Sequence, residues 1–385
     1  MSNRIMQPFL SALALGLAAS LLAPPAALAD QDALATNVLD QARTAMHGAA
    51  WASIRYERAK MHVSTSGLSG PAESLYDMGT GAYRNTFDFG VTKGADGYDG
   101  KTVWSQDDSG QVAPQGGDNA IKGAVNASYL NAHGYWRTDM PAEITSAGVK
   151  KDGKRAFDVV RITPRGGRPF EMWFDARTHI LDRTVEQGAR ETNTVLYGDW
   201  RRVSGGPLEA YHVRLTNGEV KYDTDVVVDS ITFEDSAPPD VFSPPPPPRP
   251  DFGFKAAGAR SATVPFTLIN NHMYVKVMLN GKGPYELLFD TGGSNLVTPT
   301  VAAALGLKAA GAMQGGGVGA KSEDVGLAKV ARMEIGDAYL DNQSFGVIAL
   351  ESFGAIEGRP ITGIFGYKCS SALWSRPTTR TTRSR

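Results

Sequence analysis

Short alternations of apolar and polar residues, broken by turn residues, run through most of the chain. Val275, Val277 and Leu279 alternate with Lys276 and Met278; Asn280-Gly281 then supplies a tight hairpin turn, and Tyr285 to Phe289 forms an apolar run ending on Asp290. The stretch FDVVRITPRGGRPFEMWFDARTHILDRTVEQ has the same rhythm and reads as strand, turn, strand, turn, strand. KVARMEIGDAYLDNQSFGVIAL gives two more strands around Gly336-Asp337, and PITGIFG closes on the apolar pair Ile364-Phe365 before Gly366. Helical signals are few. One helix is expected near Ala33 to Ala50. A short one is opened by Thr298 as N-cap and Pro299 at the first helical position, runs through Ala304 and stops at Gly306. The predicted fold class is mainly β, antiparallel in the first part of the chain.

Two segments interrupt this rhythm. Residues 1–29 carry Arg4 near the start, an apolar run from Phe9 to Ala23, and small residues Ala27 and Ala29, the layout of an export signal cleaved before Asp30. The apolar run is short for an anchor and Pro24-Pro25 interrupt it, so no membrane span is expected after cleavage. A periplasmic or secreted location is the expectation. Between Ser236 and Pro250 the sequence SAPPDVFSPPPPPRP holds five consecutive prolines, Pro244 to Pro248, which cannot join a sheet or a helix interior. It predicts a stiff polyproline linker. The expected organisation is a signal peptide at 1–29, a β-rich domain at 30–235, the linker at 236–250, a second lobe at 251–367 and a basic tail at 368–385.

Composition narrows the functions open to such a chain. Its 385 residues exceed what one core ordinarily holds, and 42% hydrophobic with 21% charged residues suits core-forming domains. A net charge of -1, from 39 basic and 40 acidic residues, offers no field for neutralising phosphates, so nucleic acid is not an expected partner. The single cysteine, Cys369, excludes an intramolecular disulfide and a cysteine-cluster metal site. Six scattered histidines show no metal-ligand spacing, so neither a metal nor an organic cofactor is expected. ADGYDGKT, Ala95 to Thr102, fits a relaxed phosphate-loop pattern, but Asp96 and Asp99 would repel phosphate and VWSQ follows as a strand; it reads as a hairpin turn. No GxSxG elbow occurs.

The chemistry lies in FDTGGSN, Phe289 to Asn295. Two carboxylates that share one proton turn water into a nucleophile toward an amide, one acting as base while the other protonates the carbonyl oxygen. Each must be held still. Asp290 supplies one such carboxylate, Gly292 and Gly293 let the backbone pass close to a neighbouring loop, Thr291 can lock two loops together, and the Ser294 hydroxyl can orient the carboxylate. Downstream, GGGVGAKSEDVG sets Gly315, Gly316, Gly317, Val318 and Gly319 at the tip of a hairpin suited to closing over a bound peptide.

With these motifs in order over about Ser261 to Tyr367, the chain resembles the retropepsin-like aspartic peptidases, in particular exported bacterial proteins of that family. Asp290, Thr291 and Gly292 match the catalytic triplet, the glycines from Gly315 to Gly319 match the flap in kind, and Ile364-Phe365-Gly366 matches the family's hydrophobic pair plus glycine. The resemblance implies a β-barrel lobe and an endopeptidase acting on extended peptide. YGDWRRVSGGPLEAYHVRL and VVVDSITFEDSAPPDVFSPPPPP resemble, in pattern, the last strands of LolA-like half-barrel domains, which implies a curved antiparallel sheet for 30–235 with an apolar concavity for lipid or peptide.

Two departures from the family pattern bear on activity. Only one such triplet is usable, because DSG at Asp108 lies in a polar turn, so the dyad requires a homodimer or a missing second lobe. After Tyr367 the family continues with a helix and a strand, whereas KCSSALWSRPTTRTTRSR has no apolar period. Synonymous codons with one G restored after the Tyr367 codon read GYEVFQRLVVATNYAHHTLT, an apolar ending, so the tail is expected to be a one-base frameshift and the lobe incomplete. The competing reading is a non-enzymatic periplasmic lipid- or peptide-binding or chaperone-like protein with a vestigial lobe.

Overall fold

The computed structural model describes residues 25–188, 191–246, 251–315 and 323–366. The leader up to residue 24, the flap tip at Gly316, Gly317, Val318 and Gly319, and the tail from 368 lie outside the described residues. Contacts divide the chain into two compact units at 247/248.

The N-terminal unit opens with α1 (Pro25–Ala45), followed by a 3-10 turn at Gly48–Ser53. The helix therefore starts and stops earlier than the sequence pattern predicts. His47 turns left-handed (φ 53), and Gly48 lies so close to Trp136 that a Cβ would sit 2.6 Å from the indole ring. Six strands follow: β1 (Tyr56–Thr65), β2 (Leu68–Asp77), β3 (Tyr83–Asp88), β4 (Lys93–Tyr98), β5 (Val103–Gln106) and β6 (Val112–Pro114). Helix α2 (Asp118–Asn131) separates them from β7 (Ala142–Asp152), β8 (Arg155–Pro164), β9 (Phe170–Asp175), β10 (Leu181–Gln187), β11 (Thr192–Arg202), β12 (Leu208–Thr216) and β13 (Thr224–Glu234).

All thirteen strands join one antiparallel sheet in the order β6-β5-β4-β3-β2-β1-β13-β12-β11-β10-β9-β8-β7. Strand β13, next to the proline-rich segment, is not an edge. It joins the two halves of the sheet by pairing with both β1 and β12. Ala35, Leu39 and Ala42 on α1, with Met46 just beyond its end, recur at helical spacing and pack with Val160, Ile162, Phe170, Met172 and Phe174 of β8 and β9. The Asp99 region is the expected hairpin turn: Asp99 Oδ1 accepts from the amides of Lys101 and Thr102 between β4 and β5. Beyond β13 the chain is not simply a spacer, because Trp104 donates its indole N–H to the Phe242 carbonyl at 2.8 Å and Tyr56 stacks on Phe242.

The C-terminal unit holds β14 (Phe252–Phe254), β15 (Phe266–Ile269), β16 (His272–Leu279), β17 (Lys282–Asp290), β18 (Leu296–Val297), α3 (Pro299–Leu305), β19 (Ala310–Gly315), β20 (Glu323–Ile335), β21 (Ala338–Val347), α4 (Glu351–Glu357) and β22 (Gly363–Gly366). The alternation in β16 is realised: Val275, Val277 and Leu279 are buried and Lys276 is exposed. Asn280 and Gly281 both adopt left-handed φ, the geometry of a two-residue hairpin turn. Strand neighbours run β21-β18-β22-β17-β16-β20, and β20 pairs back onto β21, so these six strands close a ring. The last described strand, β22, lies inside this ring between β17 and β18. Leu279, Leu287, Val297, Val330, Met333, Leu340 and Phe345 fill the core.

Candidate functional site

Asp290 is the last residue of β17, one residue beyond the buried pair Leu287-Leu288 with Phe289 between, and it is exposed. Parallel pairing sets Leu288, Phe289 and Asp290 against Ile364, Phe365 and Gly366. Leu296 and Val297 hold β22 from its other side, against Ile364 and Gly363. The apolar pair before Gly366 thus anchors the strand that flanks the aspartate, and Phe289 and Phe365 pack with ring centroids 5.3 Å apart. Gly366 is required by space, since a Cβ there would overlap the Asp290 carbonyl.

The loop that follows turns tightly around the carboxylate. Asp290 Oδ1 accepts from the Gly292 amide at 2.9 Å, and the Asp290 carbonyl accepts from the Gly293 amide at 2.9 Å. A Cβ on Gly293 would lie 2.9 Å from Asp290 Oδ2, so only glycine leaves the carboxylate its place over the backbone. Thr291 is exposed and Ser294 partly buried. Ser294, expected as the orienting donor, makes no hydrogen bond to Asp290 among the described residues; the Gly292 amide supplies that contact instead. Thr298 caps α3 by accepting from Val301, and Gly306 ends it left-handed, as its punctuation predicts.

The stem of the expected flap is a hairpin: Met313, Gln314 and Gly315 of β19 pair with Val325, Asp324 and Glu323 of β20. Gly315 is its last described position before the tip.

One buried residue at this site escapes a reading of the sequence. Asn295 is 4% exposed, its carbonyl accepts from Gly346, and its side chain donates to Gln343 at 3.5 Å. Gln343 in turn donates to Asp251 Oδ2 and the Asp341 carbonyl, while Asn295 Oδ1 has no partner.

A second polar cluster lies in the N-terminal unit. Glu57 is buried on β1, opposite Tyr76 of β2 and Phe233 of β13. Burial pushes its carboxyl up to about 7. Glu209 is raised well above the usual carboxylate range, by burial and then by Glu57. His133, with Nε2 3.9 Å from Glu209, is pushed down to about 3 by burial and then by the Arg137 charge. It therefore stays neutral, stacked between Trp51 and Trp136. The signal available in the sequence was the strand phase, since Glu57 shares its inward position with Ala59.

Residues 275–369 match the family model described as aspartyl protease, a span that takes in β16 from Val275 onward, the Asp290 loop, the flap stem and β22. Among solved structures, a retropepsin-like aspartic protease from Rickettsia conorii is 18% identical, with 28% of this chain and 80% of that one covered and a TM-score of 0.21. A LolA superfamily protein from Nitrosomonas europaea is 11% identical, with 54% and 97% covered and a TM-score of 0.38. A DUF1329 family protein from Desulfovibrio piger is also 11% identical, with 54% and 96% covered and a TM-score of 0.38. No curated protein sequence matches the chain.

Proposed function

We propose that the C-terminal unit supplies one half of an aspartic peptidase site and that two copies of the chain complete it. The observation that carries this reading is Asp290 itself. It is an exposed carboxylate at the end of a strand whose Leu287 and Leu288 are buried, fixed by the Gly292 amide in a loop that glycines at 293 and 366 accommodate, inside the span matched by the aspartyl protease family. Across a twofold axis, Asp290 of each copy would share one proton. The ionised carboxylate takes a proton from water, the water oxygen attacks the amide carbon, and the protonated carboxyl gives its proton to the carbonyl oxygen. Collapse of that intermediate, with a proton delivered to the nitrogen, releases the amine and the new acid. Thr291 is the residue that locks the two loops, and the stem formed by β19 and β20 would carry the flap over an extended peptide with apolar residues beside the scissile bond.

The leader at 1–29 supports work in the periplasm or outside the cell, with peptides or proteins as substrates. The direct test is a peptide-cleavage assay from acidic to neutral pH, with sedimentation to read the oligomer, on the chain as printed, on a frame-restored chain, and on each with Asp290→Asn. Cleavage that survives Asp290→Asn sinks the reading. Cleavage by the frame-restored dimer alone assigns the completing segment to the residues after Tyr367. Absence of cleavage by any dimeric preparation favours the non-enzymatic alternative.

A further inference from the structure

Between the start of the sheet and the α2 end of the N-terminal unit lies a cavity of about 390 Å³, large enough for a small organic ligand. Its walls are of two kinds. Trp51, His133 and Trp136 form one continuous stack, with His133 centred 4.2 Å from Trp51 at 22° and 5.6 Å from Trp136 at 10°. Arg43, Arg55 and Arg137 supply the charge, and no carboxylate lines the cavity. Arg137 is already engaged: it donates to the Met78 and Gly79 carbonyls and pairs with Asp139. Arg43 and Arg55 are exposed and make no ion pair among the described residues; Arg55 lies over the Tyr56 ring.

We propose that this cavity binds a carboxylate carried on a flat apolar group, an aryl acid or the C-terminal aromatic residue of a peptide. The aromatic stack offers the apolar body a wall, and the two free guanidiniums offer the carboxylate paired donors in the fork geometry that suits it. A cationic ligand would meet the unpaired charges of Arg43 and Arg55 with no carboxylate in the lining to answer it. A bare inorganic anion would leave the Trp51–His133–Trp136 wall unused. His133 stays neutral at physiological pH, so the stack adds no charge of its own and discrimination falls to the arginines. The inference stands apart from the peptidase reading, because every residue it uses belongs to the N-terminal unit.

Calorimetric titration of the full chain tests it, with phenylacetate, phenylacetamide, benzylamine and inorganic phosphate as probes, and with glycyl-glycyl-phenylalanine against its C-terminal amide. Saturable binding of phenylacetate is expected, weakened by salt and lost with the amide or the amine. Arg43→Gln combined with Arg55→Gln, two exposed positions that leave the core intact, should weaken it roughly tenfold. Tighter binding of the tripeptide acid than of phenylacetate assigns the ligand to peptide ends, and the reverse order assigns it to free aryl acids. Equal binding of phenylacetate and phenylacetamide, stronger binding of benzylamine or of phosphate alone, or an unchanged affinity in the double variant overturns the proposal.

Discussion

Gly366 runs parallel to Asp290 at a separation that no other residue can occupy, because a Cβ at 366 would fall on the Asp290 carbonyl. Gly366→Ala must therefore part β17 from β22 and release the aspartate loop, at a cost of roughly 3 kcal/mol or more. Gly358 is the informative control. It is left-handed (φ 67) with open space around it, so Gly358→Ala carries only the strain of about 1–2 kcal/mol. Denaturant unfolding of the two variants, followed through the C-terminal unit, should rank them in that order, and equal losses would mean that the close approach is unimportant.

Glu57 gives the N-terminal unit a pH dependence of defined sign. Its carboxyl is raised from 4.5 in the unfolded chain to about 7 in the fold, so its contribution is complete below about pH 4.5 and is lost as pH rises through 7. Glu209, raised by the same burial and by Glu57, acts in the same direction. His133 acts in the opposite one: lowered from 6.5 to about 3, it stabilises above about pH 6.5, and that contribution is lost as pH falls toward 3. Between about pH 6.5 and 8 the His133 contribution is already complete while Glu57 is still losing its proton, so the melting temperature of this unit should fall. Glu57→Gln should flatten that decline, recovering at most on the order of 3 kcal/mol at pH 8. A wild-type melting temperature that rises across this interval contradicts the assignment.

What the sequence disclosed and what it withheld divide along physical lines. The β16–β17 hairpin was legible because a period-two pattern and Asn280-Gly281 specify it locally, and α3 because its cap and stop lie within nine residues, Thr298 to Gly306. The loop glycines and Asp290 were legible as a motif. The orienting contact was not, since whether Gly292 or Ser294 reaches the carboxylate depends on backbone angles. The first helix was misplaced because its limit is set by the packing of Gly48 on the distant Trp136. Glu209, His133 and Asn295 are polar residues buried by partners on other strands or helices, which local composition does not mark, and Glu57 is marked only by the strand phase it shares with Ala59.

Trp104 ties the proline-rich segment to the sheet through a single hydrogen bond to the Phe242 carbonyl. Trp104→Phe leaves that carbonyl without its donor, at about 1 kcal/mol for the bond in addition to lost packing. Limited proteolysis should then cut faster between Ser236 and Pro246. Tyr56→Leu, which removes only the ring stacked at 6.3 Å, should accelerate cutting less. Identical cleavage rates for wild type and Trp104→Phe would show that the bond does not hold the segment.

Gln343 is fully buried and is the only residue that links Asn295, at the end of the aspartate loop, to Asp251 among the described contacts. Gln343→Leu removes the donor to Asp251 and the acceptor for Asn295 together, and should cost about 2–4 kcal/mol because two polar groups lose their partners away from water. Gln343→Glu keeps the acceptor but places a second carboxylate where the amide stood 2.9 Å from Asp251 Oδ2. At neutral pH the two charges repel, so this variant should be the less stable of the two. On acidification a protonated Glu side chain regains an O–H donor to Asp251, and its stability should recover toward wild type while the Leu variant gains no such donor. Unfolding midpoints of both variants at pH 7 and pH 4 decide the matter: parallel shifts with pH would mean that Gln343 acts through packing alone.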